Sequence, residues 1–291
     1  MDNAAVDKLV KKTYGRAWAP WLYIITGAVV FALLSFIVLC ALLGTPFSYE
    51  VDALFFTISY EGWLDTKPYM WAVWMALGFT PYMALYFAER ARRVRRVMRI
   101  YTRDCDEELC LRVLRRAVDY GKEKRIYRRF DMRCSLYFIL ESGYVHLLCT
   151  SGRVEEAREY MENGWLRRKG YLYRDTLCAV DYAEAAYAGD EPRARAAAAR
   201  AGKLKRGNYG VQATLSALRG EYAAAIELAG RRAGSTDAGL VEYTYFTARC
   251  YERMGDTDMA AERYGYAAEN GGTMRCAQKA REWLAARESA Q

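Results

Sequence analysis

The chain has 291 residues, of which 53% are hydrophobic and 14% aromatic, so it is long and apolar enough for a sizeable folded core. Lysine and arginine (43) outnumber the acidic residues (35), which gives a net charge of +8. The single histidine, His146, excludes sites built on several histidines, and the scarcity of proline (5) favours an all-α fold.

Two segments without charged residues come early in the chain and are typical of transmembrane helices. We predict spans at residues 21–43 and 68–88. The 23 residues of the first segment rise about 34 Å as a helix, enough for a hydrocarbon layer of about 30 Å. A cleaved signal peptide and a buried core helix are the alternatives for this segment.

Basic residues lie on the outer side of both spans and set the predicted topology. Residues 1–20 form a predicted basic tail and residues 89–104 a basic juxtamembrane helix, whereas residues 44–67 between the spans are acidic and aromatic. Because positive charge is retained on the cytoplasmic side, we expect both termini in the cytoplasm and residues 44–67 outside. An integral protein of a bacterial inner membrane is the predicted location.

The arginines of the juxtamembrane helix have the spacing of a helix that passes anionic lipid headgroups. The predicted membrane-surface residues are Arg92, Arg93, Arg95, Arg96 and Arg99. The simpler interpretation is a topology signal alone. A second basic run lies at residues 122–129, and the alternatives for its surroundings are the membrane, solvent and RNA. No nucleic-acid-binding motif accompanies this run, so nucleic acid is not an expected partner.

Seven of the eight cysteines follow the second span, and none has the spacing of a zinc site or a redox pair. We interpret them as reduced, mostly buried residues of a cytosolic domain, without a metal or other cofactor.

Residues 105–291 contain an internal repeat. Glycines recur at intervals of 37, 31 and 35 residues, and each is followed five positions later by alanine. A glycine permits the turn that ends one helix, and the alanine lets the next helix pack closely against it. The repeat-defining residues are Gly152, Ala157, Gly189, Ala194, Gly220, Ala225, Ala248, Tyr251, Gly255, Ala260, Tyr264 and Ala267.

The stretch from Ala248 to Ala267 has the order of small, aromatic and glycine residues that resembles the tetratricopeptide repeat (TPR). The resemblance implies an α-solenoid with a concave groove that binds a peptide or a helix. Chance similarity of amphipathic helices in an ordinary bundle is the alternative. The implied groove residues are Ser142, His146, Cys149, Tyr187, Thr214, Leu218, Tyr245, Arg249 and Arg253.

No phosphate loop, hydrolase or kinase signature occurs in the chain, and we expect no catalysis. The predicted function is a membrane-tethered scaffold or adaptor that binds a cytosolic protein through the TPR-like groove. The face that carries Tyr245, Arg249 and Arg253 suits an acidic or carboxylate-bearing ligand. The alternative is a membrane sensor whose external loop responds to an envelope component and repositions the repeat domain. Homo-oligomer formation is left open.

Overall fold

The computed structural model describes residues 2–15, 29, 52–53, 56–57, 69–128, 132–164, 166, 170–204, 208–231 and 236–290. The described α-helices are α1 (Asn3–Tyr14), α2 (Tyr69–Thr102), α3 (Glu107–Glu123), α4 (Met132–Thr150), α5 (Val154–Asn163), α6 (Gly170–Ala188), α7 (Glu191–Arg200), α8 (Tyr209–Leu218), α9 (Tyr222–Gly230), α10 (Asp237–Met254), α11 (Thr257–Asn270) and α12 (Arg275–Ala290). A 3-10 turn covers Ile126–Arg128. The predicted all-α class is confirmed, and the exception is a small antiparallel pair of strands, β1 (Asp52–Ala53) and β2 (Phe56–Thr57).

The chain divides into two compact units, residues 1–14 with 93–291, and residues 15–92. The second unit contains the two strands and the first part of α2. Near its end, Arg92 pairs with Glu89 at 2.7 Å, and the Arg90 guanidinium lies 4.7 Å from the centre of the Phe87 ring.

The structure describes the second predicted span and almost none of the first. Apart from Val29, residues 21–43 lie outside the described residues, as does most of the predicted loop 44–67. Residues 69–102 form one uninterrupted helix, which joins the predicted second span to the predicted juxtamembrane helix. Of the helices that the structure describes, none is both long enough and apolar enough to cross a membrane.

The first unit is built from helix pairs joined by short glycine turns. The pairs are α4/α5, α6/α7, α8/α9 and α10/α11, and their turn glycines have φ angles from +68° at Gly152 to +83° at Gly255. The alanine five residues after each turn glycine is fully buried, because the second helix of each pair packs there against the first. These alanines are Ala157, Ala194, Ala225 and Ala260.

The two ends of this helical array contact each other. The Thr273 N–H donates to the Cys105 carbonyl at 3.2 Å, and the Thr273 hydroxyl donates to Asp106 at 2.9 Å. The Tyr101 hydroxyl at the end of α2 donates to the Glu242 carboxylate of α10. Stacked repeats normally contact only their neighbours. The closure between the first and the last helices therefore differs from the open solenoid that the resemblance implies.

The N-terminal segment, expected to be a basic tail, is instead an ordered helix in the core of the first unit. Val6, Val10 and Tyr14 of α1 are almost fully buried. The Tyr14 hydroxyl donates to the Ala117 carbonyl of α3 at 3.0 Å, and Asp7 pairs with Arg116 of the same helix at 2.6 Å. The apolar residues of α1 recur at helical spacing, which explains why the segment packs rather than extending into solvent.

Candidate functional site

A group of basic and phenolic side chains lies where the last helices of the array meet the first helix pairs. Tyr187 is the penultimate residue of α6, Tyr245 and Arg249 are one turn apart on α10, and Arg275 and Lys279 are one turn apart on α12. We call these five residues the basic cluster. Three of them, Tyr187, Tyr245 and Arg249, belong to the predicted groove, and the structure brings these three together.

Arg275 is held in place by two helices of the first half of the array. Its Nη1 donates to the carbonyl oxygen of Ser151, just after α4, at 2.6 Å. Its backbone N–H donates to the Glu107 carboxylate of α3 at 3.2 Å. A Cβ added at Gly152 would lie 2.6 Å from Arg275 Nη1, so a larger residue here would displace the end of this flexible side chain. Arg275 thus positions the start of α12 against the end of α4.

Tyr187 approaches the same turn from α6. Its hydroxyl donates to the Thr150 carbonyl at 3.2 Å, while 55% of the residue stays exposed. Burial of the hydroxyl end raises the Tyr187 pKa, and the positive charges of Arg275 and Arg249 oppose that rise. The exposed ring therefore lies beside two guanidinium groups.

Tyr245 connects the cluster to the packed interior of the last helix pair. Its ring lies edge-on to Tyr264, with ring centres 5.7 Å apart, and Tyr264 packs on Trp283 at 4.6 Å. Glu252 accepts hydrogen bonds from the Tyr264 hydroxyl at 2.7 Å and from Trp283 Nε1 at 3.0 Å. These contacts fix the α10 face on which Arg249 is carried.

Arg249 and Lys279 lack an acidic partner. In the part of the chain that the structure describes, neither side chain makes a hydrogen bond or an ion pair, and Arg249 is exposed. Partial burial lowers the Lys279 pKa, and the charges of Arg275 and Arg249 lower it further, against a smaller opposite effect of Glu282. The cluster is therefore a site where positive charge exceeds negative charge, with Glu282 as the acidic residue that acts on Lys279.

The predicted groove residues of α4 are not members of the basic cluster and are largely buried, although Cys149 lies near Tyr187. The Ser142 hydroxyl shares a hydrogen bond of 2.9 Å with Thr176 of α6. Burial lowers the His146 pKa; nearby Lys203 acts in the same direction and Asp175 against it. Burial also raises the Cys149 pKa to about 11, so this thiol is unreactive at neutral pH. Ser142 and Cys149 are buried and His146 is half-buried, so these three residues do not line an open surface.

The remaining predicted groove residues are not part of the cluster. The Thr214 hydroxyl donates to the Gly210 carbonyl of its own helix at 3.0 Å. Leu218 packs against the small hydrophobic cluster of Ala185, Ala194 and Leu215. Arg253 is exposed at the end of α10.

The predicted membrane-surface residues do not form a uniform stripe. Arg92, Arg95 and Arg99 are exposed and Arg96 is half-buried, whereas Arg93 is only 9% exposed. Arg93 Nη1 donates to the carbonyls of Thr13 and Tyr14 at 3.1 and 2.7 Å. The interpretation of Arg93 as a headgroup ligand is therefore corrected, since its guanidinium binds the C-terminal end of α1.

Sequence reasoning missed two members of the cluster, Arg275 and Lys279. They follow the last recognisable repeat, and their proximity to Tyr187 depends on the closure of the array. No local pattern in the sequence indicates that closure. The one available signal is their i, i+4 spacing on a helix, which places two cations on one face.

The described residues contain no candidate metal centre, because no group of three or more histidine, cysteine or acidic side chains among them is arranged to hold a metal ion. The described cysteines are free, and five of the seven are buried. Comparisons of the chain with protein-family models, curated proteins and solved structures gave no match. The TPR resemblance therefore stays a prediction.

Proposed function

We propose that the protein is a membrane-tethered adaptor that binds a segment of another protein at the basic cluster, without catalysis. One observation carries this proposal: Arg249 and Lys279 present positive charge beside the exposed Tyr187 ring, and neither makes a hydrogen bond or an ion pair with an acidic residue among those described. Exposed aromatic and arginine side chains are the residue types that most often carry binding energy at protein interfaces.

The rigidity of the supporting helices favours a binding role. Arg275 is fixed to the turn after α4 and Tyr245 is fixed through Tyr264, so the cluster is built on packed helices rather than on loops. Binding to such a preformed surface loses less conformational entropy than binding to a mobile one. Tethering to a membrane then raises the effective concentration of the partner near that surface.

Site-specific photocross-linking in living cells tests the adaptor. A photoreactive phenylalanine derivative replaces Tyr187 in the full-length chain, and the matched control carries it at Tyr171, an 80% exposed tyrosine at the other end of α6. We expect a protein adduct from position 187 that is lost when Arg249→Gln is added. Equal adducts from both positions, or none from position 187, would contradict the proposal.

The proposed tether consists of residues 21–43 and 68–88. It is tested with an impermeant thiol reagent on intact cells and with single cysteines at Ser48 or Ser289. The native thiols that need replacing are Cys40 and the half-buried Cys178 and Cys276, because the other five are buried. Labelling at position 48 alone supports the proposed topology, and labelling at position 289 alone inverts it.

One observation favours the sensor as a second candidate. The chain leaves the repeat domain through α1 and returns through α2, and Arg93 ties these two helices together. A conformational change in residues 15–92 that moves α1 or α2 would therefore alter the packing of the repeat domain. Replacement of residues 47–64 by a neutral polar linker distinguishes the candidates, since an adaptor keeps its position-187 adduct and a sensor loses the stimulus dependence of that adduct.

A further inference from the structure

The acidic residues around the basic cluster are already engaged. Glu252 accepts hydrogen bonds from Tyr264 and Trp283, and Glu242 accepts one from Tyr101. Glu107 accepts the backbone N–H of Arg275, and burial raises its pKa. None of these carboxylates is hydrogen-bonded to Arg249 or to Lys279. Glu282 acts on Lys279 electrostatically but makes no ion pair with it, so positive charge is in excess in this part of the described structure.

The three cations come from two helices that are joined by the hydrogen bond from Trp283 Nε1 to Glu252. Arg249 projects from α10, whereas Arg275 and Lys279 project from α12, and Lys279 interacts electrostatically with both arginines. Of these three side chains, only that of Arg275 has a hydrogen-bond partner among the described residues, the Ser151 carbonyl. Like charges on neighbouring helices repel each other, and an anion bound between them relieves that repulsion.

We propose that the basic cluster is a binding site for an oxyanion, either a carboxylate or a phosphate group. Arg249 and Lys279 would donate charge-assisted hydrogen bonds to it, with Arg275 adding positive potential. Guanidinium and ammonium groups bind both kinds of oxyanion through such bonds. The oxyanion group has two alternative sources, a free inorganic anion or an acidic side chain of a bound protein segment.

Such an anion also has a structural effect. It bridges α10 and α12, and α12 is joined through Arg275 to the end of α4. Occupation of the site therefore relieves the repulsion and stabilises the closure of the array. This effect goes beyond the proposed function, because it requires no partner protein.

Thermal unfolding and equilibrium binding on the purified full-length chain test the inference. The probes are inorganic phosphate and a hexaglutamate peptide, each compared with chloride at constant ionic strength to separate specific binding from screening. The variants are Arg249→Gln and Lys279→Gln. The control is Arg195→Gln on α7, an exposed arginine that pairs with Glu191 at 2.7 Å, away from the cluster.

We expect saturable binding of at least one probe, a rise in Tm on binding, and at least tenfold weaker binding in both cluster variants but not in the control. Binding of phosphate identifies a free anion as a sufficient source, and binding of the peptide alone identifies acidic side chains. In chloride, Lys279→Gln should have a higher Tm than the parent, because it removes one of the repelling charges.

Two outcomes would overturn the inference: neither probe binds, or both bind Arg249→Gln as tightly as the parent chain. Retention of the position-187 cross-link in either case leaves the adaptor proposal standing. Loss of the cross-link with retained, Arg249-dependent phosphate binding removes the adaptor and keeps the anion site.

Discussion

Arg93 of α2 donates a hydrogen bond of 2.7 Å to the carbonyl oxygen of Tyr14, the last residue of α1. The same nitrogen lies 3.1 Å from the Thr13 carbonyl, so one buried cation satisfies two of the carbonyls at the end of α1. A cation at a helix C-terminus also interacts favourably with the helix dipole. This contact joins the two points at which the chain crosses between its compact units.

Arg93→Ala is expected to lower the free energy of unfolding by about 2 kcal/mol, because it leaves two buried carbonyls without a charged donor. Denaturant titration of the full-length chain, followed by tyrosine and tryptophan fluorescence, measures the change. Arg103→Ala, at an exposed residue just after α2, is the control and should change stability by less than about 0.5 kcal/mol. Equal effects of the two substitutions would show that the α1 contact is unimportant.

The closure of the array is measurable by comparing two helix N-caps. Asp106 and Asp256 each accept a hydrogen bond of 3.1 Å from the backbone of the first turn, but Asp106 also accepts the Thr273 hydroxyl. Asp256→Ala should cost about 1 kcal/mol and Asp106→Ala about 2 kcal/mol, because only Asp106 loses a second hydrogen bond. If thermal unfolding shows the same loss of stability for both variants, the contact between Asp106 and Thr273 does not form in solution.

Ala260 is fully buried between α10 and α11. Ala260→Arg inserts a long charged side chain where there is no space, so the expected destabilisation is roughly 3 kcal/mol or more. Ala286→Arg, at an exposed position of α12, should leave the Tm almost unchanged. A stable Ala260→Arg variant would show that the repeat register is wrong.

His146 gives the chain a pH dependence that is separable from that of other groups, because it is the only histidine. Burial, with a smaller contribution from Lys203, lowers its pKa below the ordinary value of 6.5. The folded state therefore binds fewer protons than the unfolded state, and stability is complete above pH 6.5 and falls as pH decreases towards the folded pKa.

His146→Gln should flatten this part of the pH profile. The measurement is the free energy of unfolding of parent and variant at several pH values on both sides of 6.5. If the difference between the two proteins does not change with pH, the histidine is solvated in the folded state.

Residues 15–92, which include the first part of α2, lie between Tyr14 and Arg93 in the chain, and these two residues are hydrogen-bonded to each other. Replacement of residues 15–92 by a short glycine-serine linker should leave the repeat domain folded, because Tyr14 and Arg93 already lie in contact. Circular dichroism and a cooperative thermal transition check this expectation. An unfolded deletion variant would show that residues 15–92 support the domain.

The helix pairs were predictable because their determinants are local. A left-handed turn requires glycine at Gly255, and close helix packing requires a small side chain at Ala260, so both leave a pattern in the sequence. The site was predictable only in part. Tyr187, Tyr245 and Arg249 follow from the repeat register, whereas Arg275 reaches the site through a contact with Ser151, 124 residues away. No local rule encodes such a contact.

The docking of α1 fixes an order of events during synthesis. The Tyr14 hydroxyl bonds to Ala117, 103 residues later in the chain, so α1 leaves the ribosome on the order of 5–20 s before its partner helix at ordinary elongation rates. The contact between Asp106 and Thr273 forms later still, because Thr273 is synthesised 167 residues after Asp106. A nascent chain that lacks its last two helices therefore exposes the apolar faces that meet at this junction, and premature termination there yields a product that cannot complete its core.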